Sequence, residues 1–176
     1  MPARSSLKLL AFAAGLVAAA IAARLAVAEI YRVPSRSMEP ALAPGDEVVV
    51  MRLHHDDEPQ RGEIVVFEGD DGRAWIKRII GLPGDSVAID GGHVLVNGTT
   101  LSEPYARSDP DDGGRSTHVV PAGHYFVMGD NRGNSDDSRD WGFVARESLR
   151  GRARVICWSR ASGGRVQWHR LFMRVD

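Results

Sequence analysis

The strongest constraint on this chain is a change of hydrophobic period near residue 45. Before it, residues 9 to 28 read LLAFAAGLVAAAIAARLAVA, apolar throughout except for Arg24. After it, apolar residues come in short or alternating runs cut by Gly, Pro and Asp: EVVVMRL (47 to 53), EIVVFE (63 to 68), AWIKRII (74 to 80), SVAID (86 to 90), HVLVNG (93 to 98), HYFVMG (124 to 129) and ARVICWS (153 to 159). A period of two belongs to strands, so the body of the 176-residue chain is expected to be β-rich, one compact domain plus an accessory segment. Asn97-Gly98 is a type I′ turn signal joining HVLV to TTL as a hairpin, and Leu82-Pro83-Gly84-Asp85 is a second sharp turn. The stretch from Ser102 to Thr117, rich in Pro, Asp and Gly, is too polar for a core and is predicted to be a long surface loop.

Read as a helix, residues 9 to 28 span about 30 Å, one hydrocarbon core. Eight Leu, Ile, Phe and Val residues favour insertion, and an off-centre Arg24 can snorkel. An uncleaved anchor is the favoured reading. Arg4 and Lys8 before an apolar run ending in Ala26-Val27-Ala28 also fit a cleavable secretory signal, and a buried helix is the third reading. Lys and Arg counts around the span leave its orientation open.

Charge is segregated. Residues 1 to 40 carry a net +3, residues 41 to 149 a net −10, and residues 150 to 176 a net +6, for −1 overall. An acidic body with basic flanks argues against nucleic acid as a partner and suits anionic membrane lipid. Seven arginines in the last stretch surround Trp158, Trp168, Leu171, Phe172 and Met173, which fits either the membrane interface or aromatics closing a β core. The lone Cys157 excludes an intramolecular disulfide and a multi-cysteine zinc site.

His54-His55-Asp56-Asp57-Glu58 reads as a solvated loop. In the run from Asp130 to Asp137, Arg132 occupies a position where a calcium loop requires an oxygen ligand. The histidines show no spacing that pairs them with a serine, and there is no G-x-S-x-G. No metal or cofactor is called for.

A serine and a lysine remain. Pro34 and Pro40 fix the backbone around Ser35 and Ser37, holding hydroxyls on an extended turn. Of 22 basic residues only Lys8 and Lys77 are lysines. Strand alternation places Trp75, Lys77 and Ile79 on one face and Ile76, Arg78 and Ile80 on the other. Lysine differs from arginine in that burial can deprotonate it near neutral pH, and a neutral amine can act as general base toward a serine hydroxyl.

Four motifs in order, PSRSMEPAL (34 to 42), RGEIVVF (61 to 67), WIKRIIGLPGD (75 to 85) and GDNRGNSDDSRDWG (129 to 142), resemble those of the type I signal peptidases, membrane-bound Ser-Lys peptidases that remove signal peptides from secreted preproteins. The resemblance implies Ser37 as nucleophile, Lys77 as general base, the Ser37 N–H with the Ser35 hydroxyl as oxyanion donors, Ser135 as the hydroxyl orienting Lys77, and Asp137 with Arg139 as a supporting ion pair. Val33, Met38, Leu42 and Ile76 are implied to line shallow pockets for small residues of an extended substrate. Ala41 and Gly133 stand where the family often has Thr and Asp, and the short region between the third and fourth motifs implies a reduced accessory subdomain.

The fold expected is mostly β, and the resemblance implies a partly open antiparallel β-barrel-like catalytic domain (29 to 176) behind a short cytoplasmic N-terminus (1 to 8) and one transmembrane helix (9 to 28). A single N-terminal span resembles the smaller members of the family, and that likeness implies a catalytic domain on the extracytoplasmic side of the cytoplasmic membrane. The alternatives are a specialised pilin-maturation or conjugation-type peptidase with the same dyad, and a non-catalytic membrane-tethered β-rich binding module.

Overall fold

The computed structural model describes residues 28–107, 115–161 and 163–175, together with Gly15. The expected anchor and N-terminus, residues 1 to 27, lie almost wholly outside the described residues, and among those described no helix is long and apolar enough to cross a membrane.

Among the described residues eleven strands form two open antiparallel sheets. They are β1 (Ala28–Arg32), β2 (Asp46–Arg52), β3 (Ile64–Glu68), β4 (Ala74–Gly81), β5 (Ser86–Asp90), β6 (His93–Val96), β7 (Thr99–Thr100), β8 (Ser116–Val119), β9 (His124–Met128), β10 (Val144–Ala145) and β11 (Leu149–Ser159). The larger sheet has the order β1-β2-β11-β3-β4-β9-β10 and the smaller β7-β6-β5-β8. The larger sheet keeps free edges at β1 and β10, so it is not a closed barrel. A single helical turn, α1 (Ser138–Trp141), follows β9.

Each run read as a strand from its period is one. The Asn97-Gly98 turn has positive φ at both central residues (52° and 78°), as type I′ demands, and pairs Val96 with Thr99. At Leu82–Asp85 the turn closes through Asp85 N–H donating to Leu82 O at 3.0 Å, with Gly84 at φ 88°.

Two expectations need correction. Ala28 does not end a helix: it opens β1, opposite Met51, so an anchor can extend only to residue 27. The stretch from 102 to 117 is not simply a surface loop, because Ser116 and Thr117 belong to β8, paired with β5, and Arg107 bridges Asn131.

Three apolar clusters hold the sheets. Val48, Val50, Ile64, Val66, Ala153 and Ile156 pack on one face of the larger sheet beneath Val33, Met38 and Leu42 of the serine-bearing turn. Val65, Phe67, Ile79, Tyr125, Val127 and Leu149 fill the other face. Because β3 is buried on both faces, it reads as a continuous apolar run instead of an alternating one. Ile80, Val87, Val94, Val120, Phe126 and Met128 join the two sheets.

Asp46 ties the C-terminal segment to the serine-bearing turn. Fully buried, it accepts from Ser159 Oγ (2.6 Å), Arg170 Nη2 (2.7 Å) and Ala43 N–H (2.8 Å), while its carbonyl accepts from Val33 N–H (2.8 Å). Removing one partner of a buried ion pair strands the other charge. Asp46→Ala is therefore expected to cost about 3 kcal/mol, seen as a lower urea midpoint at unchanged m-value. An unchanged midpoint would show that the pair contributes nothing net.

Candidate active site

Ser35 and Ser37 sit on the turn between β1 and β2, which is cinched at its neck by Gly45 N–H donating to Val33 O at 2.9 Å. The two hydroxyls are 3.2 Å apart and face solvent. Among the described residues the Ser37 N–H donates no hydrogen bond, so it is free to receive an acceptor. The turn opens on a cleft of about 820 Å³, which is also lined by Tyr31, Ile76, Lys77, Ser135 and Asp136.

Lys77 reaches this cleft from β4, with 2 % of its surface exposed. Its Nζ donates to Ser135 Oγ at 2.8 Å and lies 5.7 Å from the Trp75 ring centroid. Burial lowers its pKa from 10.5 to about 8, against the opposing pull of Asp137 and Asp136. Desolvation wins because Asp137 is committed elsewhere, fully buried against Arg139 with Nε to Oδ1 at 2.8 Å and Nη2 to Oδ2 at 3.0 Å, and Asp136 is exposed to solvent that screens it. Among the described residues no hydrogen bond joins Ser37 to Lys77, although both line the one cleft.

The loop carrying Ser135 is laced to β9. Asp137 accepts from Gly129 N–H at 2.9 Å and caps α1, and the Ser138 hydroxyl accepts from Val127 N–H at 2.9 Å. Arg139 also donates to the carbonyls of Arg132 (2.7 Å) and Ser135 (3.3 Å). Gly129 is required by close approach, since a Cβ there would lie 2.2 Å from Ser135 Oγ and 2.5 Å from Ser37 O.

Ser35, Ser37, Lys77, Ser135, Val33, Met38 and Ile76 all line the cleft, and Asp137 and Arg139 meet beside it. Leu42 is the exception: it is fully buried in the core under the turn and does not line the cleft, because the turn folds its C-terminal half inward. Strand alternation gives no sign of the partner of Arg78. Both faces of β4 carry a cation inward, and Arg78, 1 % exposed, forks onto Asp130 with two 2.8 Å hydrogen bonds. A second cation in an apolar strand was the available signal for a buried acid.

The β-scaffold thus brings the hydroxyls of Ser35 and Ser37 and a desolvated lysine to one cleft. The family model described as signal peptidase, peptidase S26, matches residues 5–158. Signal peptidase I of Leptolyngbya laminosa is 42% identical over 152 residues, covering 81% of this chain and 74% of that one. Probable signal peptidase I-2 of Synechocystis sp. is 46% identical over 147 residues (79% and 67% covered), and signal peptidase I of Bacillus caldolyticus is 37% identical over 149 (77% and 82%). The chain belongs to the S26 family of signal peptidases.

The buried lysine should be visible in stability. Below pH 8 Lys77 is protonated in both folded and unfolded chains, and the folded state bears the full desolvation cost. Between pH 8 and 10.5 the unfolded chain holds more protons, so folded stability rises with pH. Lys77→Met is expected to be more stable than the parent by about 2 to 3 kcal/mol at pH 7, the advantage shrinking toward pH 10. Denaturation at both pH values checks this; a less stable variant at pH 7 would contradict it.

Proposed function

We propose that this protein is a membrane-anchored endopeptidase that removes N-terminal signal peptides from secreted preproteins after small-x-small sequences, with Ser37 as nucleophile and Lys77 as general base. The observation that carries the reading is the desolvated amine of Lys77, held by Ser135 in the cleft that Ser37 faces. A neutral amine donating one N–H to Ser135 keeps its lone pair for the proton of Ser37. Ser37 Oγ then attacks the scissile carbonyl, and the Ser37 N–H with the Ser35 hydroxyl receives the oxyanion. The protonated Lys77 gives its proton to the leaving amine, and once neutral it activates the water that hydrolyses the acyl-enzyme.

The substrate strand has a place to pair. β4 pairs with β3 along Ala74–Arg78 but with β9 only from Arg78 onward, so Ala74–Lys77 keeps a sheet edge unpaired among the described residues. A peptide added there gains main-chain hydrogen bonds, and Val33, Met38 and Ile76, which line the cleft, offer its side chains an apolar surface.

In this reading residues 9 to 27 anchor the chain in the cytoplasmic membrane and the domain from Ala28 lies outside the cytoplasm. The domain also meets lipid. Trp168 and Phe172 are 73% and 77% exposed, and Phe172 holds φ 62°, an unfavourable value for an aromatic residue, with its ring turned outward. Arg170 is committed to Asp46, but the exposed Arg165 and Arg174 flank these rings in the sequence and suit anionic headgroups. The chain beginning at Ala28 is expected to bind anionic vesicles at low ionic strength and to release them as salt rises. Absence of binding at low salt would confine lipid contact to the anchor.

Ser37→Ala and Lys77→Arg are each expected to abolish cleavage of an Ala-x-Ala preprotein without loss of fold, because arginine cannot supply a neutral base. Ser35→Ala should lower kcat about 10²- to 10³-fold. The parent kcat/KM should rise with pH through a basic limb near 8. Activity retained in Lys77→Arg, or a flat profile from pH 6 to 10, would overturn the assignment of the base.

A further inference from the structure

Residues 101–107 leave the smaller sheet and run back to the loop that carries Ser135. Three residues there make contacts that have no part in the chemistry just described. The Tyr105 ring lies 3.9 Å from the guanidinium carbon of Arg78, covering the cation that forks Asp130. Glu103, nearly buried, forks Arg132, with Nη1 to Oε2 at 3.1 Å, and Arg132 Nε in turn donates to Gly129 O at 3.0 Å. Arg107 N–H donates to Asp130 O at 2.7 Å, and Arg107 O accepts from Arg132 N–H at 2.9 Å.

Between those last two bonds stands Asn131, whose opposite side meets the serine turn. Its N–H donates to Ser37 O at 3.0 Å and its Nδ2 to Arg36 O at 3.1 Å. The order across the site is therefore Arg107, Asn131, Ser37, a short ladder that joins the connecting segment to the serine turn through the Asp130–Arg132 backbone. Arg78 is the neighbour of Lys77 on the opposite face of β4, so a ring seated on Arg78 also fixes the strand that carries the lysine.

We propose that Glu103 and Tyr105 are positioning residues for the reaction, forming a clamp that keeps β4, the Ser135 loop and the Ser37 turn at fixed spacing and so keeps water away from Lys77. This rests on the reading of Ser37 and Lys77 as the reacting pair. The clamp is internally joined, since the Tyr105 hydroxyl donates to Glu103 Oε1 at 3.1 Å. Burial and then the Glu103 carboxylate push the phenol well above its ordinary pKa, so it remains a donor at working pH. Two forks and a stacked ring outlast any single hydrogen bond, and small displacements of reacting groups carry large losses of rate.

The low lysine count makes a direct test available. In the 176-residue chain labelled at lysine and held in detergent micelles, only Lys8 and Lys77 give NMR signals, with Lys8 as the internal reference. Asp130, Asp136, Asp137 and Arg139 are the charged groups acting on Lys77, and none is altered by Glu103→Gln, Tyr105→Ala or Tyr105→Phe. In the parent, Lys77 should titrate near 8.

In Glu103→Gln and Tyr105→Ala water gains access, so the Lys77 pKa should rise by about one or more, with kcat on an Ala-x-Ala preprotein down about 10-fold and KM within about twofold. Tyr105→Phe keeps the ring on Arg78 but loses the hydroxyl link to Glu103, and should fall between the parent and Tyr105→Ala in both readouts. A folded Glu103→Gln or Tyr105→Ala with parental titration and kcat, or a loss confined to KM, would overturn the clamp; if Tyr105→Ala does not fold, Glu103→Gln decides. A parent that leaves preprotein intact would sink the peptidase reading instead, and the lysine titration would still decide the clamp.

Discussion

Lys77 sets the terms for the rest of the site. An ammonium group withdrawn from water without a dedicated counter-charge is costly, and the chain lowers that cost by letting the amine lose its proton. The neighbouring carboxylates Asp130 and Asp137 would restore the proton if they were free. Each is instead held in a fork by its own arginine, Arg78 or Arg139. What reaches Nζ directly is a hydroxyl, Ser135 Oγ at 2.8 Å, which orients the amine without fixing its charge.

This division explains the uneven use of basic residues. Arginine stays charged in any environment and offers a rigid fork, so it suits Arg78, Arg132, Arg139 and Arg170, each pairing with a buried or nearly buried carboxylate. Lysine appears in the described residues only at position 77, where a group that can lose its proton is needed. Adjacent residues of one strand thus serve opposite ends: Arg78 locks β4 to the loop after β9, and Lys77 faces the cleft. The glycine at 129 lets the serine turn and the Ser135 loop approach closely enough for both to share that cleft.

Much of the scaffold was legible because its signals are local. Alternation marks a strand wherever one face is buried, and Asn97-Gly98 and Pro83-Gly84 specify turns by backbone conformation alone. β1, β8 and β10 were not legible, since AEIYR, STHV and VA are too short or too polar and become strands only through partners distant in sequence. The same holds for Leu42, where a motif position cannot tell a pocket wall from the core beneath it. Lys77 stood out through lysine rarity, whereas proline framing marked Ser35 and Ser37 alike and only the motif resemblance singled out Ser37. Glu103 and Tyr105 did not, because a polar stretch rich in Pro and Asp looks like solvent-facing loop until Arg78 and Arg132 are seen to need covering.

The central claim is that Ser37 becomes covalently acylated and that Lys77 makes it able to do so. Rapid acid quench of the protein mixed with an Ala-x-Ala substrate, followed by peptide mass spectrometry, tests both halves together. The account predicts the substrate acyl group on Ser37 in the parent chain and no adduct in Lys77→Met. An acyl group on another residue, or on Ser37 at the parental rate in Lys77→Met, would contradict it.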